Sequence, residues 1–324
     1  MPSDLLLTPA TRGHIRHINV RRDLGAIADL VEMCFYDTLD PDGRRYLQEM
    51  RRAAQNSRLL GWASDLYQEA PTPPSGYVWE EDGRLVGNLS LIPINVQGRH
   101  CYLIANVSVH PDFRGRGIAW ALTMMALEYM RNRQTPAAWL QVRDDNPIAL
   151  DIYHKAGFKE RARRTSWYTS GDVPQEQPIA GIVAGARRMQ DWPLQRQWLA
   201  HMYPAELAWH LPVNWRAIRP DVWGMAYRFM MFDYPRQWAV LRDGQLQGTL
   251  TWRHGPGVTD PLWLAIPDEP DETAVRALLV HARRQIPKRQ PLMVNCPAGL
   301  VAEALRGVGF YPHQTLIWME YRFS

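Results

Sequence analysis

The feature that most constrains this chain is an apolar strand pattern that turns through glycines into a helical run. Residues Leu103 to Val109 predict a buried strand that ends before Pro111, and helical spacing follows from Trp120 to Arg133. Between the two lies the sequence Arg114-Gly-Arg-Gly-Ile-Ala119. Because the first backbone N–H groups of a helix point out of its positive end, a strand, a turn and a helix in this order predict an anion site suited to a phosphate or pyrophosphate.

The residues of this turn also suit a phosphate by their own chemistry. Gly115 and Gly117 have no Cβ, so the chain can approach a ligand closely. Arg114 and Arg116 can add charge-assisted hydrogen bonds to its oxygens. The turn therefore predicts a phosphate-binding site from residue types alone.

Two blocks of the first half resemble the GNAT N-acetyltransferases. The first is similar to that family's acetyl-CoA signature and consists of Val107, Val109, Pro111, Arg114, Gly117 and Ala119. The second resembles the family's next segment, in which a strand, an asparagine, a helix with a tyrosine and a closing Gly-Phe pair follow one another; it consists of Leu140–Asn146, Ala149, Tyr153, Gly157 and Phe158. Both blocks stand in the family's order, and the resemblance covers about residues 13–170.

The resemblance implies that the first half binds acetyl-CoA and no metal. The backbone of Val107 and Val109 would pair with the pantetheine arm, and a backbone N–H near Val107 or Ser108 would stabilise the oxyanion. Asn146 would hydrogen-bond the cofactor near its thioester, and it can also cap the helix that begins at Pro147. The pyrophosphate would be held by Arg114, Gly115, Arg116, Gly117, Ile118 and Ala119.

Transfer of an acetyl group to an amine requires proton transfers at both ends of the reaction. A free alkyl amine has a pKa of about 10, so it must lose a proton before it attacks, and the departing thiolate must gain one. Tyr153 matches the family's tyrosine and is expected to be the acid that protonates the thiolate, as well as a residue of the cofactor site. The alternative for Tyr153 is a buried tyrosine whose hydroxyl is satisfied within the core.

The base is where the chain departs from its relatives. In the ribosomal-protein N-terminal acetyltransferases a glutamate precedes the tyrosine by twelve residues, and here that position is Gln141, which is no useful proton acceptor. This difference weakens an assignment to protein N-termini. A water chain remains possible, and so do acidic or histidine side chains that could equally be solvated turn residues: Glu80, Glu81, His110, Asp144 and Asp145.

Other elements of the first half follow from local signals. The apolar spacing of Asp23 to Phe35 predicts a helix with Asp23 as its N-cap, and Arg44 to Leu60 predicts a second, more charged helix. Asp82-Gly83 and Gln97-Gly98 predict hairpin turns, and Pro71–Pro74 predicts a loop. Because the first two helices of this family often wall the acceptor pocket, Phe35, Tyr36 and Tyr67 are candidate pocket residues, or else ordinary aromatics.

The second half repeats the order of the first without its chemistry. After helical, tryptophan-rich sequence comes a hairpin about Asp243-Gly244, then a strand, the helix Glu272 to Gln285 and a closing Gly309-Phe310. Where the arginines and glycines stood, the second half has the acidic stretch Pro267–Asp271, and Leu305 takes the place of Tyr153. This stretch would repel a pyrophosphate.

We therefore predict an α/β (α+β) chain of two tandem GNAT-like domains, an active one at 1–172 and a degenerate one at 173–324. Each would be a mixed, mostly antiparallel twisted sheet flanked by helices, joined near Gly171–Pro178, where linker residues concentrate. A length of 324 residues suits two domains. The alternative for the second half is an unrelated α/β domain.

Composition excludes several other classes of protein. The chain has no run of about 18 apolar residues, so no membrane span is expected. Its N-terminus is a poor signal peptide, and its three cysteines lie far apart, which favours a reducing cytoplasm. The net charge of +4 is not gathered into a basic patch, so no nucleic acid is expected as a partner, although the charge could attract an anionic cofactor.

The predicted function is that of an acetyl-CoA-dependent N-acetyltransferase, which moves an acetyl group directly to a primary amine of a small molecule. Three alternatives remain open: a non-catalytic acyl-CoA-binding sensor or scaffold, a protein or peptide N-acetyltransferase, and an enzyme that uses a longer acyl-CoA. Acetyl-CoA and the amine are the expected partners. The acceptor and the oligomeric state have no signal in the sequence.

Overall fold

The computed structural model describes residues 13–55, 75–175, 178–255 and 257–323. Within these ranges the chain forms one twelve-stranded sheet flanked by helices. The strands are β1 (Gly13–His17), β2 (Ser75–Glu81), β3 (Arg84–Val96), β4 (Arg99–Val109), β5 (Ala137–Arg143), β6 (Lys159–Thr169), β7 (Ile182–Ala186), β8 (Arg236–Arg242), β9 (Gln245–Trp252), β10 (Asp260–Ala265), β11 (Leu292–Pro297) and β12 (Phe310–Arg322). The α-helices are α1 (Val20–Phe35), α2 (Pro41–Gln55), α3 (Ile118–Asn132), α4 (Pro147–Ala156), α5 (Trp192–Met202), α6 (Trp215–Ile218), α7 (Val222–Met231), α8 (Glu272–Gln285) and α9 (Ala302–Gly307).

The strand order is β1-β2-β3-β4-β5-β12-β6-β11-β10-β9-β8-β7. Neighbouring strands are antiparallel except at two places, where β4 runs parallel to β5 and β10 runs parallel to β11. The predicted fold class, a mixed and mostly antiparallel sheet flanked by helices, is therefore confirmed. Each half contributes one such parallel pair, and these two pairs are where a ligand cleft can open.

The last strand of each half is exchanged with the other half. β12 lies between β5 and β6, and β6 lies between β12 and β11. The predicted boundary at residues 172 and 173 falls in the segment between β6 and β7, but the two sets of strands are not separated in space there. Each half thus completes its sheet with a strand from the other, and the strand that the first half receives is β12.

In the first half, apolar residues on the two faces of the sheet pack against different helices. Trp79 of β2 packs with α3 through Leu122 and Met130, whereas its neighbour Val78 packs on the other face with α1 and α2. This alternation follows from the period of two along a strand. Trp139 of β5 and Trp318 of β12 instead join the apolar cluster of the second half, so that cluster contains residues of both halves.

Local signals predicted many element ends and missed others. The turns at Asp82-Gly83 and Gln97-Gly98 form as predicted, with positive φ at all of these residues. The helix Pro147–Ala156 has Asn146 as its cap and Gly157, with φ of 99°, as its end, also as predicted. Helix α3 begins at Ile118, two residues before the predicted start. The segment Ile182–Ala186, for which the sequence predicts no element, forms β7, because pairing with β8 compensates for the weak strand preference of its glycine and alanines.

The prediction that Asp23 caps α1 is wrong. The cap is Asn19, whose side-chain oxygen accepts hydrogen bonds from the N–H groups of Arg21 and Arg22. Asp23 lies one turn later, buried, where it accepts a hydrogen bond from the Asn19 N–H at 2.7 Å and pairs with Arg16. The pairing and this backbone bond lower the pKa of Asp23 although burial opposes them. Tyr67, the loop Pro71–Pro74 and residues 56–60 of the predicted second helix lie outside the described residues.

No helix in the described ranges combines the length and the apolar character needed to cross a bilayer. In the same part of the chain, no three histidine, cysteine or acidic side chains come together in a way that could hold a metal ion.

Candidate active site

The site begins where β4 and β5 separate. Their parallel pairing joins Tyr102–Ile104 to Ala138–Leu140 and then stops, although β4 continues to Val109 and β5 to Arg143. A cavity of about 300 Å³ lies in the resulting wedge. One edge of β4 beyond Ile104 therefore has no strand beside it and faces the cavity, as an extended ligand would require.

The free part of β4 contains a β-bulge at Asn106. Asn106 has φ of 53°, and the register with β3 shifts there, since Asn88 opposes Ser108 but Ser90 opposes Ala105. The Asn106 carbonyl accepts hydrogen bonds from Asn88 Nδ2 at 2.9 Å and from Ser108 Oγ at 3.2 Å. Because these buried side chains hold the bulge, the Ser108 side chain is occupied, and only its backbone remains for a ligand.

The predicted phosphate turn is open at the start of α3. Gly117 is the N-cap with φ of 76°, and no side chain caps the helix. The N–H groups of the first turn have no partner within a helix. A Cβ added at Gly115 or Gly117 would meet no atom within 4 Å, so the concavity above the turn is empty of protein. An anion can therefore reach these N–H groups.

The two arginines of the turn contact the protein around it. Arg114 donates from Nε to the Val109 carbonyl at 3.2 Å, and Cys34 Sγ lies 3.4 Å from the same oxygen. Arg116 lies 3.3 Å from Glu81 Oε1 and stacks 4.8 Å above the Phe113 ring. Both arginines thus border the turn, and the Val109 carbonyl, expected to pair with a pantetheine arm, is already engaged by protein groups.

Asn146 and Tyr153 approach the same cavity from α4. Asn146 Oδ1 accepts a hydrogen bond from the Ala149 N–H at 3.1 Å, so Asn146 caps α4. Asn146 also lines the cavity. Tyr153 also lines the cavity, with only 7% of its surface exposed. Burial raises the pKa of Tyr153 well above its ordinary value. Its hydroxyl therefore stays protonated, and it has no hydrogen-bond partner in the part of the chain described.

The side chains considered as bases lie elsewhere. Glu80 pairs with Arg16 and Arg22, Glu81 with Arg116, and Asp145 with Arg143. His110 Nε2 lies 2.6 Å from Arg84 Nη2, and Asp144 is exposed beside the cavity's rim. Among the described residues that line the cavity, none of these candidates is present. Gln141 does line it, and its Nε2 is buried without a hydrogen-bond partner.

Several residues that line the cavity were not anticipated from the sequence. Asp40, after the turn that follows α1, supplies a carboxylate, and Gln314 and Leu316 arrive on β12 from the far end of the chain. Phe35 lines the cavity as predicted, whereas Tyr36 is 65% exposed and does not. No local pattern marks these residues, because the strand exchange brings β12 to the site and the packing of the segment between α1 and α2 brings Asp40 there.

The second half also has a cavity, of about 420 Å³, beside the ends of β10 and β11, and Tyr203 and Asn295 are among the residues that line it. Pairing of β10 with β11 stops after Leu262 and Val294. Beyond this point the buried Arg164 of β6 donates to Asn295 Oδ1 at 2.6 Å and to the Met202 carbonyl at 2.8 Å. The N–H of Leu264 donates to the Tyr203 hydroxyl at 3.2 Å. Groups that are free in the first wedge are therefore satisfied in the second.

The helix that follows β10 is also closed to anions. Asp271 caps α8, and its Oδ1 accepts hydrogen bonds from the N–H groups of Thr273 and Ala274 at 3.1 Å each. Arg242 pairs with the same carboxylate. Since Asp271 already supplies the negative charge that the helix start attracts, a pyrophosphate would meet repulsion there. Only the first half keeps an open phosphate turn.

The fold and the site define a class of α/β protein in which two parallel strands separate beside a helix whose start no side chain caps. Residues 29–158 match the Acetyltransferase (GNAT) family. The resemblance to this family that the sequence of the first half shows is therefore confirmed for that domain.

Individual relatives match only parts of the chain. An uncharacterised N-acetyltransferase of Methanocaldococcus jannaschii is 32% identical over 99 residues, which are 27% of this chain and 44% of that protein. The ribosomal protein bS18-alanine N-acetyltransferase of Escherichia coli is 31% identical over 77 residues, 24% of this chain and 52% of that protein. The chain thus spans about half the length of these curated relatives.

One solved structure is similar over the whole chain. The GCN5-related N-acetyltransferase from Sphaerobacter thermophilus aligns with 97% of this chain and 97% of its own, with a TM-score of 0.56 and 15% sequence identity. At this identity the likeness concerns the fold alone.

Proposed function

We propose that this protein is an acetyl-CoA-dependent N-acetyltransferase that transfers an acetyl group directly to a primary amine of a small molecule. The observation that carries this proposal is the uncapped start of α3 beside a wedge that contains the unpartnered Tyr153 hydroxyl. The first feature suits the donor's pyrophosphate, and the second suits its departing thiolate.

The donor's place follows from the groups that remain free. Its pyrophosphate would accept hydrogen bonds from the backbone between Gly115 and Ala119, with Arg114 and Arg116 at the rim. Its pantetheine arm would lie along β4 beyond Ile104, and Asn146 Nδ2 would reach it from α4. The chain's own residues would thus place the thioester in the wedge, between Tyr153 and the β4 bulge.

The reaction requires one bond to form and one to break. The neutral amine attacks the thioester carbon, and a backbone N–H near Val107 or Ser108 would stabilise the oxyanion. As the intermediate collapses, the C–S bond breaks, and the thiolate takes the Tyr153 hydroxyl proton. The proton lost by the amine nitrogen returns through water to Tyr153 oxygen. Free CoA and the N-acetylated amine leave, and the enzyme is restored.

The second half would complete the site rather than perform a second reaction. In its own wedge the N–H of Leu264 already donates to the Tyr203 hydroxyl, and Asp271 caps the helix that follows. Its last strand lines the first half's cavity with Gln314 and Leu316. The free cysteines Cys34, Cys101 and Cys296 suit a reducing cytoplasm, which we propose as the protein's location.

A non-catalytic acyl-CoA sensor is the second candidate function. The observation that favours it is Gln141, an amide in the position where the ribosomal-protein relatives have a base. Such a sensor would bind acetyl-CoA without releasing CoA in the presence of any amine. Turnover and donor binding therefore separate the two candidates.

The test measures thiol release from acetyl-CoA with a panel of primary amines, beside the rise in melting temperature that the donor causes. The panel would include alkyl amines, polyamines, amino sugars and a short peptide with a free alanine N-terminus. Tyr153→Phe is expected to lower kcat about 100-fold or more, with donor-induced stabilisation retained. Tyr36→Phe, which changes an exposed tyrosine outside the cavity, is the matched control and should behave as the wild type.

Each outcome decides between the candidates. Unchanged turnover in Tyr153→Phe would show that another group protonates the thiolate. Donor stabilisation without CoA release for every amine would favour the sensor. Best turnover with the peptide would move the acceptor from small molecules to protein N-termini.

A further inference from the structure

The cavity holds one acidic side chain that its neighbours leave without a counter-charge. Asp40 follows the short 3₁₀ turn Tyr36–Thr38 and lines the same cavity as Tyr153. The apolar side chains of Val31, Phe35 and Leu39 form the wall beside it. Among the described residues that line this cavity, Asp40 supplies the carboxylate.

Two neutral donors hold this carboxylate in place. Oδ1 accepts a hydrogen bond from the Gly43 N–H at 2.6 Å, and Oδ2 accepts one from the Tyr168 hydroxyl at 3.1 Å. Burial and the charge of Asp40 raise the pKa of Tyr168 well above its ordinary value, so Tyr168 remains a donor. Each oxygen keeps lone-pair capacity for a further donor. The carboxylate is therefore oriented before any ligand arrives.

Two other acidic groups near the site have arginine partners, and Asp40 has none within the described ranges. Glu81 pairs with Arg116, and Asp145 pairs with Arg143, which is the cation on the cavity wall. His210 is close enough to Asp40 for their charges to interact, but it lines the cavity of the second half and not this one. The carboxylate of Asp40 thus lies beside apolar walls with no ion-pair partner among the described residues, although the first turn of α2 donates to it through Gly43. A partly desolvated carboxylate of this kind is stabilised by a cation that can hydrogen-bond to it.

We propose that Asp40 binds the amino group of the acceptor, so that the acceptor is an amine that is cationic near neutral pH and carries a hydrocarbon segment next to this group. This inference rests on the proposed acetyl transfer. The ammonium would donate hydrogen bonds to Asp40, and the hydrocarbon would lie against Phe35 and Leu39. The exposed Asp37 on the same turn does not line the cavity and has no such role.

The same charge serves the reaction after the ammonium has lost a proton to water. When the neutral amine attacks the thioester carbon, its nitrogen becomes positively charged as the C–N bond forms. The carboxylate of Asp40 stabilises that charge electrostatically. The nitrogen then loses its second proton through water to Tyr153 oxygen, which has given its own to the thiolate. Atoms and charge balance as in the reaction proposed above.

The first experiment compares Asp40→Asn with Asp37→Asn in the full chain. Thiol release is measured with the best alkyl amine of the panel, together with donor-induced stabilisation. Asp40→Asn should lower kcat/KM for this amine by about 10- to 100-fold, because a charge-assisted hydrogen bond is lost, and should leave donor stabilisation unchanged. Asp37→Asn should match the wild type. An Asp40→Asn enzyme with unchanged kcat/KM would overturn the inference.

A second measurement needs no variant, since Asp40 also holds Gly43 and Tyr168 and its replacement could disturb the turn. The alcohol isostere of the best amine and an N,N-dimethyl analogue, which is cationic but cannot form a stable amide, are compared as competitive inhibitors of the wild type. The cationic analogue should inhibit at least 10-fold better than the alcohol. Equal inhibition, or use of aniline as efficiently as an alkyl amine, would contradict an ammonium site. If the wild type binds the donor but releases CoA with no amine, the proposed function fails and this inference fails with it. If the wild type turns over and Asp40→Asn has the same kcat/KM, only the inference about Asp40 is rejected.

Discussion

Trp318 on the last strand of the chain lies opposite Gln141 on β5 in an antiparallel register. Through this pairing β12 covers the edge of β5, while its residues Gln314 and Leu316 line the cavity. The first half, which carries the glycine turn before α3, therefore needs a strand of the second half to complete its sheet. Several measurable consequences depend on this exchange and on the contrast between the two halves.

Removal of β12 should abolish the site although every residue of the GNAT blocks remains. A chain that ends at residue 309 would expose the edge of β5 and the apolar partners of Trp318, so we expect aggregation or loss of donor-induced stabilisation. Fragments 1–175 and 178–324 should each behave in the same way alone and should recover donor binding when they are produced together. A soluble 1–175 fragment that binds acetyl-CoA with the affinity of the full chain would show that the exchange is dispensable.

Replacement of Gly117 by alanine should weaken donor binding more than it weakens the fold. Gly117 has φ of 76° and open space at its Cβ position. Gly83, in the β2–β3 turn, has the same φ and the same open space, which makes Gly83→Ala the matched control. Each change should lower the free energy of unfolding by about 1–2 kcal/mol. Only Gly117→Ala should also raise the Kd for acetyl-CoA, and calorimetric titration of the donor tests this; equal Kd values for both variants would place the phosphates elsewhere.

Arg164→Lys should destabilise the protein although it keeps the charge. Arg164 is 3% exposed, and its guanidinium donates to Asn295 Oδ1, the Asn295 carbonyl and the Met202 carbonyl. A lysine ammonium cannot reach these acceptors with the same fork geometry, so we expect a loss of about 2–4 kcal/mol in the free energy of unfolding. Arg163→Lys, at a half-exposed neighbour, is the control and should cost little. Chemical denaturation of the two variants measures the difference, and equal stabilities would mean that the second wedge is not held by Arg164.

The stability of the protein should fall at alkaline pH. Burial raises the pKa of Tyr203 to about 12 and raises the pKa values of Tyr153 and Tyr168 further. In the unfolded chain these tyrosines lose their protons near pH 10, while in the folded chain they keep them. The unfolded state then binds fewer protons, so the free energy of unfolding is constant up to about pH 9 and falls above pH 10, by as much as ~1.4 kcal/mol per pH unit for each tyrosine.

Tyrosinate absorbance followed with pH gives the measurement. The buried tyrosines Tyr153, Tyr168 and Tyr203 should ionise only as the protein unfolds. A single titration of all tyrosines near pH 10 in the folded protein would contradict this expectation.

Much of the first half was predictable because its signals are local. The turn at Asp82-Gly83, the cap at Asn146 and the glycine stop at Gly157 each depend on a few neighbouring residues. The cap of α1 was predicted wrongly because Asp23 and Asn19 are both good caps, and only the ion pair with Arg16 decides which of them takes that place. The strand β7 was missed because its pairing with β8 gives it a stability that its residues lack in isolation.

The sequence by itself determined the GNAT domain of the first half, the glycine turn before α3 and the absence of such a turn from the second half, since these depend on residue types at short spacings. The tertiary structure alone decided that β6 and β12 are exchanged, that Arg164 bonds to Asn295 beside the second wedge and that Asp40 lines the first. The physical reason is that a strand edge or an unpaired charge can be satisfied by any segment that reaches it, and which segment does so is settled only when the whole sheet packs.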